Sequence, residues 1–489
     1  MAAVVALAVA AGPSGAQAQA NDTTAAHLAL ATALRDPTRA NDVLVVLRSV
    51  EDADTLPLLR AAAGSSRRER RLFAVRGLRN IDAPTATEAL MERLRNDPEA
   101  PIRVEAMLAL VERKATTNEG LTGALRDADE AVQCIAAREL VRQGRGKAAV
   151  EALVKLANSQ DIGTAVMARL ALTAAGHRQD IEAIRSVLTG PKASEAVRLV
   201  VLEQIDEDAI RAAAPLARAL TAADQPAPVR LRAFRALAAV SPDTPALMVE
   251  AIESSRAVGL SVRLLRVLAD TEGPAEPLGR LAQGQGATAA LARFELARVA
   301  GGPTAADAAK RALALEHPVV IEYILARAAQ AVEADAGKAT WYADPLLAII
   351  ESLPKGGRRI GAEHYRAARA ATLLGDLGTP EALEGLRRLL SEDYSTRVRA
   401  VAAGLLKTGN REAAQLLRPL LTSPYEELHA DAMLALGRFG DPKALEAMRE
   451  VIAHPDRHQP ALVALSSWRV LKAAGTAEAA ARSLAPLVK

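Results

Sequence analysis

Apolar residues in this chain recur at the period of a helix, not of a strand, almost from end to end. Leu445, Met448 and Ile452 make one stripe, and Leu428, Ala432, Leu436 and Phe439 make another in the segment before it. The stripes are short, and two kinds of polar break separate them. One kind is written three times, as "GDLGTPEALEGL", "LKTGNREAAQLL" and "GRFGDPKALEAM". Their glycines, Gly378, Gly409 and Gly440, stand 31 residues apart, each followed four residues later by an alanine (Ala382, Ala413, Ala444). A glycine here supplies the left-handed position that ends a helix, and Pro380 and Pro442 suit the first turn of the next. Comparable breaks fall near Asp52, Asp82, Lys114, Gly144, Gly176, Asp206, Ser241, Asp270, Gly301, Asp335 and Gly475. The second kind lies midway between them: "NDPEAP" at 96–101, "ADQPAP" at 223–228, "SEDYST" at 391–396 and "TSPYEE" at 422–427. Two short helices per interval cannot bury their own faces. The pattern predicts an all-α chain of about 13–14 antiparallel helix pairs stacked as an α-solenoid.

A finer spacing runs through the second breaks. Asp97 precedes Arg103, Asp224 precedes Arg230 and Asp393 precedes Arg399, each by six residues. The arginine follows Ile102, Val229 or Val398, with Leu110, Leu237 or Leu406 seven residues beyond it. An aspartate at the turn can cap the second helix, and an arginine one turn in can reach an aspartate of its own or a neighbouring pair. These are expected to be structural pairs. No aspartate stands six residues before Arg198 or Arg263, so the ladder is discontinuous. With this spacing, and with the turns "LGDLGTPEAL" and "LGRFGDPKAL", the chain resembles the HEAT repeat family, in particular the short bacterial repeats of the phycobilisome-lyase type. The resemblance covers nearly the whole chain, most strongly at 364–475 and 84–125. It implies first helices on a convex side and second helices on a concave side.

Composition refines this picture. Half of the residues are hydrophobic and only 2% are aromatic, so the core is Ala, Leu, Val and Ile, which suits closely packed helices. Lys+Arg is 61 against Asp+Glu 58, with signs mixed almost everywhere, unlike the basic stripe of a nucleic-acid-binding face. The exception is "SSRRERRLFAVRGLRN" at 65–80, where Arg67, Arg68, Arg70 and Arg71 cluster. Cys134, the only cysteine, excludes an intramolecular disulfide and reads as a small core residue. "MAAVVALAVAAGPSGAQAQA" carries an apolar run, a Gly/Pro break and A-x-A sites ending at Ala18 and Ala20. Residues 1–20 are therefore read as a secretory signal peptide, atypical in lacking a basic n-region, with a periplasmic or extracellular destination. No later stretch is long and apolar enough to span a bilayer.

The interval from 335 to 378 is the longest, and it divides the expected architecture into an array at 21–352, a Gly/Arg-rich insertion or hinge at 353–363 and an array at 364–489. It holds Trp341, Tyr342 and Tyr365 and the loop "LPKGGRRIG", with Arg358 and Arg359. That loop lacks the order of a phosphate-binding P-loop. These five residues, with Arg67, Arg68, Arg70 and Arg71, are the sequence's candidates for partner contact. His454 and His458, four apart, are separated by Pro455, which places them in a turn and not on one helical face for a metal. His317 and His364 each follow a glutamate, whereas the HEAT-type metalloenzyme deoxyhypusine hydroxylase uses the reverse order, His-Glu. No nucleophile elbow, C-x-x-C or H-E-x-x-H occurs. The expectation is a non-enzymatic scaffold without cofactor or metal, binding a protein or peptide along its concave face. The alternative is a cytoplasmic protein holding nucleic acid on Arg-rich faces; a third is an enzyme of the HEAT-like lyase or base-glycosylase type.

Overall fold

Twenty-nine α-helices and short 3₁₀ turns, with no β-strand among the described residues, make up the computed structural model. It describes residues 15–36, 39–48, 52–177, 180–190, 193–208, 214–271, 273–354 and 361–489. The repeating step is clear in the pair Pro380–Leu390 and Thr396–Leu405. Thr379 caps the first helix by accepting from the Ala382 N–H at 3.2 Å, Pro380 fills its first turn, and Leu383, Leu386 and Leu389 form its buried stripe. Ser395 caps the second by accepting from the Val398 N–H at 3.2 Å. Asp393, expected in that role, is exposed at the turn; the residue nearer the helix start takes the cap.

Ala362–Leu377, the second helix of the preceding pair, ends at Gly378, whose φ of 60° is left-handed. Gly144, Gly176, Gly301, Gly440 and Gly475 also have positive φ, and Lys114 adopts φ 52° at the equivalent break. Gly409 departs from this rule. Its N–H donates to Asp376 Oδ1 at 2.8 Å, beside the Thr408 hydroxyl at 2.7 Å, and Asn410 caps the following helix Arg411–Gln415. A side-chain clamp closes that copy of the turn, so no left-handed residue is needed.

Helices of the same kind stack on each other. Ala362–Leu377 lies on Thr396–Leu405, and Ala343–Glu351 lies on Pro380–Leu390. Gly404 lets the first two backbones approach: a Cβ there would press on the Ala368 carbonyl and sit 2.7 Å from Ala371 Cβ. Thr372 uses the same closeness to donate to the Gly404 carbonyl at 2.9 Å. Small residues at this contact replace the bulky aromatics that the composition lacks.

The chain forms two compact units. One is Leu140–Ala435, whose core is a mostly aliphatic cluster running from Leu231 to Ala435 with a second cluster from Val166 to Leu237. The other combines Met1–Glu139 with Leu436–Lys489. Within it, Gly15–Arg35 packs on Pro460–Ala473 and Pro442–Ala453, burying Ala26, Leu30 and Leu34. Leu56–Ala63 packs on Ala477–Leu484 and Ala485–Val488. Asp22 pairs with Arg449 at 2.9 Å, His27 Nε2 meets Ser483 Oγ at 2.9 Å, and Lys472 pairs with Asp52. Within this unit Gly15–Arg35 and the helices of 442–488 cover one another's apolar faces.

Candidate functional site

The recurring arginine serves the helix ends before it serves any aspartate. Arg103 donates to the carbonyls of Asp97 at 2.9 Å and Pro98 at 3.3 Å, where the first helix Pro84–Asn96 stops. Arg71 does the same at Ser65 and Ser66, Arg169 at Ala157, Arg198 at Leu188 and Gly190, Arg230 at Thr221 and Arg293 at Gly284. Each lies in a second helix and satisfies carbonyls that the first helix leaves unpaired. This explains why Arg198 keeps its place with no aspartate six residues earlier.

Carboxylates join only where the next pair offers one. Arg103 binds Asp127 in a two-pronged pair at 2.8 and 2.9 Å, and Arg71 binds Asp97 at 2.8 and 3.2 Å. Asp97 thus contributes its carbonyl to Arg103 but its carboxylate to the preceding pair. Arg230 and Arg399 correct the expected pairing further. Asp224 is exposed and Arg230 uses the Thr221 carbonyl, while Arg399 pairs with Glu427 at 2.9 Å, leaving Asp393 outside. The reason is register: the guanidinium spans adjacent pairs, so the nearest carboxylate in sequence is not the nearest in space.

The arginine cluster at 67–71 is split by helix geometry. Arg67 and Arg68 face solvent, whereas Arg70 and Arg71 are buried and unavailable as partner contacts. Arg70 turns to the carbonyls of Val488 and Lys489 at 3.3 and 3.4 Å, and burial, aided by Arg67, lowers its pKa. Farther along, Arg76 pairs with Glu105 at 2.7 Å and Arg79 with Glu112, so much of this positive charge is neutralised within the unit.

Trp341 and Tyr342 also turn inward. Their rings stack at 3.8 Å, Trp341 leans on Phe294 at 6.3 Å, and Tyr342 is fully buried, its hydroxyl pKa raised chiefly by burial. They fill the junction ahead of Ala343–Glu351; Tyr342 offers no surface for a partner, which corrects the expectation for it, while Trp341 is packed against the core and stays partly exposed. Arg358 and Arg359, with the rest of 355–360, lie outside the described residues. Next to this aromatic group is a buried ionic network that the sequence reading missed. Glu295 accepts from the Tyr323 hydroxyl at 2.6 Å, from Arg327 at 2.7 Å and from Arg298 at 2.7 Å. Arg327 also binds Asp270 at 2.6 Å. Burial opposes the Arg327 charge, but Tyr323, Glu295 and Asp270 together hold its pKa above the ordinary value.

The exposed chemistry gathers at the starts of three consecutive second helices, Ala362–Leu377, Thr396–Leu405 and Glu426–Arg438. Tyr365, Tyr394 and Tyr425 stand there with 69%, 40% and 45% of their surface exposed. Tyr394 and Tyr425 stack face to face at 3.8 Å, and the Arg399 guanidinium lies 5.9 Å from the Tyr394 ring centre. His364 is buried beside Tyr365, and its pKa is lowered by burial and then by Arg399, with Glu427 opposing. Of the three tyrosines only Tyr365 was singled out from sequence. The signal for the others was available: Tyr394 and Tyr425 are separated by one repeat interval.

Asp431 belongs to the same cluster. Burial, then Glu427, pushes its carboxyl up to about 6, with Arg399 opposing. A carboxyl with a raised folded pKa favours the protonated folded state, so it penalises folding above about pH 6 and the penalty fades as pH falls toward the unfolded value of about 3.9. Asp431→Asn is expected to raise stability at pH 7.5 by ~1–2 kcal/mol and to have much less effect at pH 4.5. Urea midpoints at the two pH values check this; equal stability of both proteins at pH 7.5 would contradict it.

The remaining sequence candidates have structural explanations. The Cys134 thiol is buried, and burial pushes its pKa up to about 11, far from a reactive thiolate. His317 caps Pro318–Asp335 by accepting from the Val319 N–H at 3.2 Å. His454 reaches Glu450 at 3.2 Å, and the 3₁₀ turn Pro455–Arg457 separates it from His458. Among the described residues, no group of three or more His, Cys, Asp or Glu is placed to hold a metal ion.

The stacked antiparallel helix pairs place the chain in the class of α-solenoid proteins. Residues 395–469 match the family model described as HEAT repeats. None of the curated proteins compared with the chain matches it. Among solved structures, the chain is similar to the Kap95:Nup1 complex at 12% identity and a TM-score of 0.33, over 86% of this chain and 56% of that one. It is also similar to UNC-45 from Drosophila melanogaster at 15% identity and a TM-score of 0.29, over 96% of this chain and 80% of that one. The chain spans a little over half the length of the first of these.

Proposed function

We propose that this protein is an exported, non-enzymatic scaffold that binds a protein or peptide partner along the face carrying the second helices, the concave face in the HEAT repeats it resembles. The observation that carries this reading is the row of exposed tyrosines at 365, 394 and 425, in a chain with only 5 Tyr and 2 Trp. Exposed aromatic side chains with polar tips are the anchors that protein interfaces favour. Within HEAT repeats, the Val-Arg spacing and the Gly-turn favour the short bacterial type. Nucleic-acid binding draws less support, because Arg70, Arg71, Arg76 and Arg79 are buried or paired. Export is supported by the apolar run and A-x-A sites before Asn21. Cleavage after Ala20 would also spare the packing residues Ala26, Leu30 and Leu34.

Crosslinking and pull-down with tagged residues 21–489, from envelope and culture-fluid fractions, is expected to recover a stoichiometric protein partner. Recovery of none from either fraction overturns the scaffold reading. Intact mass of the native protein is expected to start at residue 19 or 21, and a retained Met1 overturns export.

A further inference from the structure

The turn residues around the stacked tyrosines give them a particular electrostatic setting. Glu392 and Asp393 precede Tyr394, and Glu426 and Glu427 follow Tyr425. Asp393 and Glu426 are exposed, and the Glu427 side chain is 60% exposed. The cations of the same turns are drawn inward. Arg397 donates to the Leu353 carbonyl at 2.8 Å and to that of Glu351, and Arg399 is buried against Glu427. Solvent therefore meets the exposed parts of both tyrosines and the carboxylates of Asp393 and Glu426, while Arg397 and Arg399 are turned toward backbone carbonyls and Glu427. Beneath this surface His364 is 6% exposed, with its Nδ1 lacking a hydrogen-bond partner. An aromatic face carries partial negative charge and attracts cations, and flanking carboxylates add to that attraction. The same surface repels phosphate and carboxylate groups.

We propose that the stacked Tyr394–Tyr425 pair is the seat for a lysine or arginine side chain of a partner protein segment. Its ammonium or guanidinium lies over an open ring face and pairs with Asp393 or Glu426. This rests on the scaffold reading and supplies the partner's chemistry, a basic segment. Tyr365, one pair earlier, extends the surface for residues beside the cation.

Labelled octaarginine and octalysine titrated against the full chain by fluorescence anisotropy test the assignment, with octaglutamate as control. Binding of the oligocations and not of octaglutamate is expected. Tyr394→Ser with Tyr425→Ser, and separately Asp393→Asn with Glu426→Gln, are each expected to weaken binding by about 10-fold or more. Raising NaCl from 50 to 300 mM should shrink the effect of the carboxylate variant more than that of the tyrosine variant, because screening acts on exposed charges. Circular dichroism of each variant confirms that it is folded. Unchanged affinity in both folded variants, or equal binding of octaglutamate, overturns the proposal. A pull-down separates the two readings. If the partner captured by the native chain is also captured by the tyrosine variant, the seat is wrong and the scaffold stands. If the native chain captures nothing, the scaffold reading itself falls.

Discussion

Glu295→Ala is expected to destabilise the Leu140–Ala435 unit by about 3–5 kcal/mol, the cost of breaking a buried ion pair from one side. Glu295 is 1% exposed and its two oxygens take three donors, from Tyr323, Arg327 and Arg298. Removing it leaves Arg327, 3% exposed, with Asp270 as its one carboxylate beside the neutral oxygens of Gln330 and Arg266, and leaves a buried phenol without its acceptor. Replacing both charges, as Glu295→Met with Arg327→Met, is expected to cost less than the single change, since no unpaired charge then stays buried. Guanidinium titrations of Glu295→Met, Arg327→Met and the double give the coupling directly. Unfolding of a repeat array need not be all-or-none, so amide exchange in Gly286–Ala300 and Pro318–Asp335 should localise the loss. A single substitution costing under about 1 kcal/mol would show that the network contributes little.

Leu30→Ala is expected to cost about 2–5 kcal/mol, as large-to-small changes in packed cores do. Leu30 is 0% exposed where Gly15–Arg35 meets the helices at the other end of the sequence. Faster amide exchange should therefore appear in Pro460–Ala473, more than four hundred residues away along the chain. Leu28→Ala is the control on the same helix: Leu28 is 64% exposed, and a change within about 0.5 kcal/mol is expected. Equal effects of the two substitutions, or exchange unchanged in Pro460–Ala473, would rule out mutual covering of the two ends as a source of stability. A chain beginning at Asn21 keeps every residue of that helix described as buried and should match the longer chain in stability.

The fold was more legible than the site. Gly378, Gly440 and Gly475 mark helix ends from sequence because a left-handed residue is a local requirement, met where the structure has positive φ. Gly409 shows the limit: it sits at the same interval, but Asp376, 33 residues earlier, closes the turn with a side chain. The arginines show it again. Arg70 and Arg71 read as candidate partner contacts in a basic run, yet both are buried, because Val488, Lys489 and Asp97 approach from elsewhere in the chain. Trp341 and Tyr342 drew attention as rare aromatics in an irregular interval, and Phe294 claims them for the core.

Sequence alone determined the stacked helix pairs, most of their turns and the largely aliphatic character of the core. All of these follow from hydrophobic period and backbone preference within a few residues. Tertiary structure decided which arginines are spent on carbonyls, which aromatics are buried and which ends of the chain meet. It also brought Tyr394 and Tyr425 face to face. These depend on the register between stacked helices, where a guanidinium or a ring finds its partner a whole repeat or more away, and no local rule specifies that distance.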